Sequence, residues 1–114
     1  MSQEQRNGTE PRSYAVVWRE RRGPVLAGKL ELCAESVRLE GATRSGRAAA
    51  MEIPYASISE VRIGRAPEER IDGRPSVVLE CAGNGAVTLA GATGVGIVHE
   101  LADRLTGLAP ASTR

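Results

Sequence analysis

An alternation of apolar and polar residues, with a period of two, recurs in seven short stretches of this chain and then gives way to a single helical repeat. That order restricts the fold more than any other feature. Strands of a parallel sheet are buried on both faces and read as unbroken apolar runs. Alternation marks strands with one wet face, as in an antiparallel sheet. Seven such strands in succession curl into a barrel or a sandwich. A lone helix at the end then serves as cover for one opening.

The stretches follow one another at short intervals. Ser13–Glu20 has the β-branched and aromatic content of a strand, and Arg21 to Pro24 form the turn after it. In 25–33, Leu26, Leu30 and Leu32 oppose Lys29 and Glu31, and in 36–41 Val37 and Leu39 oppose Arg38 and Glu40. Residues 48–53 set Ala49, Met51 and Ile53 against Glu52. After a short turn at Pro54 to Ser57, Ile58–Gly64 sets Val61 and Ile63 against Glu60 and Arg62. The longest connection, 65–74, contains the turn pair Asp72-Gly73. Ser76–Cys81 places Val77, Leu79 and Cys81 inside, and the hairpin pair Asn84-Gly85 leads to the last strand, 86–90.

The helix is predicted over 94–108. Ile97, Val98, Leu101, Leu105 and Leu108 fall on one face, with Ala102 at its margin. Glu100 and Arg104 stand in the favourable acid-first order one turn apart. Thr93 is placed to cap the first turn, Gly107 marks the end, and Pro110 prevents continuation. A helix of this length is marginal alone and needs a surface to cover.

A chain of 114 residues makes one domain with a real core. Aromatic content is 3%, with no Phe, so that core is aliphatic. Residues 1–12 and 109–114 carry almost nothing apolar and read as disordered tails around a domain at 13–108. A net charge of +1 carries no nucleic-acid signature. The first dozen residues lack a signal peptide's apolar segment, and no run approaches the ~20 apolar residues of a membrane span. A cytoplasmic location is therefore expected. Cys33 and Cys81 read as small buried hydrophobes rather than a disulfide framework or metal ligands.

Catalytic constellations do not accumulate. The run from Gly91 to Gly96 lies between a strand and a helix, like a dinucleotide-binding turn, but no further strand follows to carry the acidic partner. Its glycines are read as a chain reversal. His99 and Asp103 stand one turn apart on the polar helix face, without a nucleophile motif or a second His. They are read as a surface pair. No cofactor, metal or enzymatic activity is expected.

Seven strands and a C-terminal helix in this order resemble the pleckstrin-homology-like fold. Three stretches resemble its bacterial and GRAM-like relatives. Gly28-Lys-Leu-Glu-Leu and Val37-Arg-Leu-Glu-Gly41 match the second and third strands, Ile53-Pro-Tyr-Ala-Ser-Ile matches the step into the fifth, and the closing helix matches the last element. The resemblance spans about residues 13–108. It implies a mainly β, partly open barrel of seven antiparallel strands capped by one α-helix. It also implies anion or headgroup binding at the open end, using a basic residue on strand 1 and a basic-x-Arg pair on strand 2. Arg19 fills the first position. Lys29-Leu30-Glu31 stands at the second, with an acid in place of the arginine.

Local charge follows that frame. Arg19, Arg21 and Arg22 against Glu20 leave +2 in the first connection, and Arg44 with Arg47 add +2 in the third. The balanced loop 65–74 is expected at the opposite end. The candidate anion- or lipid-binding residues are therefore Arg19, Arg21, Arg22, Lys29, Arg44 and Arg47. The function expected first is a non-enzymatic binding module that docks a protein partner or self-associates through edge strands and apolar residues such as Val17. The alternative is binding of an acidic membrane surface or other anion at the Arg-rich end.

Overall fold

The computed structural model of the protein describes residues 12–82, 85–93 and 96–109. Seven strands precede one helix: β1 (Ser13–Glu20), β2 (Leu26–Leu32), β3 (Ser36–Ala42), β4 (Ala48–Pro54), β5 (Ile58–Gly64), β6 (Ser76–Cys81), β7 (Gly85–Gly91) and α1 (Gly96–Leu108). Single 3-10 turns at Tyr55–Ser57 and Pro67–Glu69 stand before and after β5. The strands form one antiparallel sheet in the order β4-β3-β2-β1-β7-β6-β5. Two meanders are thus stitched together by β1 against β7, with Val16 opposite Gly91 and Glu20 opposite Val87. The sheet curls into an open half-barrel with the helix at its C-terminal end, as the alternation requires. The described helix begins at Gly96, two residues after the expected start, and ends at Leu108 as expected; Gly94, Val95 and Pro110 lie outside the described residues, as does Asn84.

The concave face holds a mainly aliphatic core that also takes in Tyr14, Trp18 and Tyr55. Tyr14, Val16 and Trp18 of β1 meet Leu30 and Leu32 of β2, Val37 and Leu39 of β3, and Val77, Leu79 and Leu89 of β6 and β7. Val98, Leu101 and Leu105 of α1 pack into the same cluster, against β5, β6 and β7. Trp18 is fully enclosed, and its indole Nε1 donates to Glu40 O at 3.2 Å. Gly28 and Gly41 make this possible. They face one another across β2 and β3, and a Cβ at Gly28 would overlap the Glu40 carbonyl.

Packed structure reaches one residue beyond 13–108 at each end. Leu32 N donates to Arg12 O at 2.7 Å, and Ala109 is buried in the core with its N–H on Leu105 O. Three inward assignments change. Ala49 is exposed near the free end of edge strand β4, Leu108 is exposed at 38% past the last buried turn of α1, and Cys33 is half-buried, leaving only Cys81 buried.

The larger correction concerns residues 65–74, which do not sit at an opposite end with free charges. They form a strap folded over the convex face of β6, β7 and β1. Val78 and Ala90, whose register points them away from the barrel core, are buried all the same, and so is Ile71 of the strap. Arginines pin the strap to the sheet. Arg19 Nη2 donates to Glu68 O at 2.8 Å, Arg62 Nη1 lies 2.7 Å from Glu69 Oε2, and Arg74 Nη1 donates to Gly91 O at 2.6 Å. At its tip Arg74 N closes on Ile71 O at 3.0 Å, with Asp72 at φ +55° and Gly73 at φ +76°. Two positive φ angles make the turn that Asp-Gly favours.

Candidate functional site

The strap creates a cleft. An open depression of about 730 Å³ lies on the convex face, bordered by three connections and floored by strands. Val17 of β1, Ala27 of β2 and Ala42 of β3 make the floor, with Pro24 and Val25 from the β1–β2 connection. Thr43, Arg44 and Ser45 of the β3–β4 hairpin form one wall, and Asp72 of the strap contributes the other. The hairpin is held by Thr43 N donating to Arg47 O and Gly46 N to Thr43 O, both at 2.9 Å. Gly46 takes φ +96°, a conformation that costs glycine little. A rigid hairpin thus presents Arg44 beside an apolar floor.

The six sequence-predicted residues separate. Arg44 borders the cleft. Arg22 is exposed in the β1–β2 connection that supplies Pro24 and Val25, Arg47 is exposed in the β3–β4 hairpin, and the Arg47 N–H is taken by Thr43 Oγ1. Arg21 turns away: with φ +48° its guanidinium lies against Gly85 of β7. Arg19 is half-buried and committed to the strap through Glu68 O, and its buried Nε has no partner among the described residues. Lys29 lies mid-sheet, exposed on the convex face opposite Ala15 and Glu40, outside the cleft lining. Sequence reasoning singled out Val17 of the floor but missed Ala27, Ala42 and Asp72. The only signal for Asp72 was its turn pair, which gives the local bend but not the place where a long loop lands.

Two smaller clefts also open among the described residues. One of about 280 Å³ opens between β4 and the β6–β7 hairpin, lined by Met51, Ile53, Cys81 and Val87 among others. Burial, with Glu80 nearby, raises the Cys81 pKa, which keeps the thiol protonated and poorly nucleophilic. Another, about 490 Å³, lies beyond α1 beside Leu32, Cys33, Arg104 and Leu108. His99 and Asp103 are exposed and border none of these three clefts. Among the described residues, no three His, Cys, Asp or Glu side chains gather as metal ligands. No described helix is long and apolar enough to cross a membrane.

On the convex face of β5 and β6, Arg62 holds three carboxylates: Glu69 at 2.7 Å, Glu80 at 3.0 Å and Glu60 at 3.8 Å. The hydrogen bond to Glu69, and then that to Glu80, raise its already high pKa against the opposing effect of burial. The arrangement is a clamp on the strap: its one guanidinium is shared among three carboxylates, so the cluster stays net acidic.

No protein-family model matches the chain. No curated protein matches it either. Among solved structures it is similar to the C-terminal domain of an unknown protein from Leishmania infantum, at 14% identity and a TM-score of 0.60, over 84% of this chain and 79% of that one. At that identity the likeness concerns the fold alone, and it is shared with a protein whose own role is unnamed.

Proposed function

We infer that the chain is a non-enzymatic binding module of pleckstrin-homology-like type, which docks a segment of a partner protein in the convex-face cleft. The observation that carries this reading is the cleft itself: a 730 Å³ depression with an exposed apolar floor, walled by Arg44 and Asp72. Apolar floor with a few polar groups at the rim is the composition of a recognition surface. Arg22, Arg44 and Arg47 are exposed on the flanking connections, so charge complementarity selects a segment that carries acidic residues beside an apolar anchor. The test is selection from a displayed random-peptide library on the full chain. Enriched peptides should pair an acidic with an apolar residue, and Arg44→Glu or Ala27→Asp should weaken them about tenfold or more. Enriched peptides indifferent to both substitutions would place docking elsewhere.

The same exposed arginines support a second reading, an acidic headgroup in place of an acidic side chain. Co-sedimentation with neutral and anionic liposomes at low and high salt separates the two. Binding that needs anionic lipid and fades with salt favours the headgroup.

A further inference from the structure

The two free edges of the half-barrel are not alike. Along β5 the register shifts between Ile58 and Glu60, and Glu60 and Arg62 belong to the ion cluster that clamps the strap. A bulge and charges are the usual protection of an edge strand. Strand β4 has no bulge and a single charge. It pairs with β3 in unbroken register from Ser36 opposite Pro54 to Ala42 opposite Ala48. Ala48, Ala49 and Ala50 are exposed, and the strand's one charge, Glu52, already accepts a 2.6 Å hydrogen bond from Ser36 Oγ.

The unused backbone groups can be identified. Thr43 N donates to Arg47 O at one end of the β3–β4 ladder, and Tyr55 N donates to Glu35 O at the other. Antiparallel bonding alternates, so between these limits residues 49, 51 and 53 bond to β3. The N–H and C=O groups of Ala48, Ala50 and Glu52 therefore point to the open edge. Pro54 falls on the same alternation, where its missing N–H costs the ladder nothing.

We propose that β4 pairs antiparallel with β4 of a second copy of the chain, about a two-fold axis at Ala50. Strand addition takes its affinity from the backbone and its selectivity from pockets for alternate side chains. Three alanines in a row offer no pocket for a foreign sequence. What β4 does offer is self-complementarity, since its first half is small and its second half large. Antiparallel pairing at Ala50 sets Ala49 against Met51 and Ala48 against Glu52, each pair twice, and Glu52 never meets its own copy. The half-exposed Met51 gains cover, and residues 48–52 of each copy satisfy about six backbone hydrogen bonds. So short an interface makes a weak dimer, with a Kd on the order of 100 µM. This pairing is independent of the convex-face cleft and stands or falls without it.

The experiment is sedimentation of the full chain from about 1 µM to about 1 mM, with amide exchange read by NMR at both limits. The average mass should rise from 12.1 kDa toward twice that value. Exchange at Ala48, Ala50 and Glu52 should slow, while Ala49, Met51 and Ile53 stay as they were. Ala50→Pro removes an outward N–H without touching the β3 ladder and should hold the chain at 12.1 kDa. Ala50→Lys, which sets two ammonium groups face to face on the axis, should do the same if the proline variant folds poorly. A monomer throughout, a dimer that survives both substitutions, or slowed exchange at residues other than these three would overturn the proposal.

Discussion

The Tyr14 hydroxyl donates a 2.7 Å hydrogen bond to Glu100 Oε2, tying the first strand to the last helix across 86 positions of sequence. Arg104 Nη1 donates to the same hydroxyl at 3.0 Å, so Tyr14 bridges the acid and the base that stand one turn apart on α1. Tyr14→Phe keeps the ring in the core and removes only this bridge. A loss of about 1 kcal/mol in urea unfolding is expected, with little change in m-value.

A pH dependence follows from the same residue. Burial first, then the Glu100 carboxylate, raise the Tyr14 pKa above its ordinary 10.0, against the lowering effect of Arg104. Tyr55 is raised too, by burial and then by Cys33. For a group raised on folding, the stabilisation is complete below the unfolded value and is lost as pH rises through the folded one. Cys81, raised by burial from an ordinary 9.0, follows the same rule. Stability should therefore hold up to about pH 9 and fall above it. The Tyr14→Phe/Tyr55→Phe pair should lose the part of that slope above about pH 10, as read from denaturant midpoints against pH.

Leu101 tests the helix as the sheet's cover. It is fully buried among residues of β5, β6 and β7, whereas Leu108 is 38% exposed. Leu101→Ala should cost about 2–5 kcal/mol, and Leu101→Asp should abolish cooperative folding by burying an unpaired charge. Leu108→Asp should fall within about 0.5 kcal/mol of the parent. Circular dichroism melts distinguish the three.

Gly28 tests the close approach of β2 and β3. Any side chain there would drive its Cβ into the Glu40 carbonyl, beside the bond that satisfies the Trp18 indole. Gly28→Val should therefore destabilise by about 3 kcal/mol or more, despite the strand preference of valine. Trp18 fluorescence should shift red as its pocket opens.

Arg62 tests the strap. Replacing it with Ala leaves Glu60, Glu69 and Glu80 facing one another without their cation. The expected cost is about 1 kcal/mol, smaller in high salt and smaller near pH 4, where the carboxylates protonate. Amides of 65–75 should exchange faster while the barrel core stays protected.

The barrel was legible because period-two patterning is a local signal. Leu30, Val37, Leu39, Val77 and Leu79 all face the core where alternation puts them. The helix face was legible through Val98, Leu101 and Leu105 for the same reason. Alternation fails at Val78 and Ala90, which it reads as solvent-facing, because burial there comes from a loop that returns over the wrong side of the sheet. No short-range pattern encodes that return. The cleft inherits the failure. Counting charge by connection groups Arg19 with Arg44, but backbone geometry commits Arg19 to Glu68 and leaves Arg44 on the rim with Asp72.

The convex-face cleft is the proposed docking place for a protein segment. The most direct test is titration of the isotope-labelled chain with the best library-selected acidic peptide, followed by backbone amide shifts. Shifts concentrated at Val17, Ala27, Ala42 and Arg44, and absent from Arg44→Glu, are the predicted result. Shifts confined to α1 or to β5, or unchanged in Arg44→Glu, would contradict it.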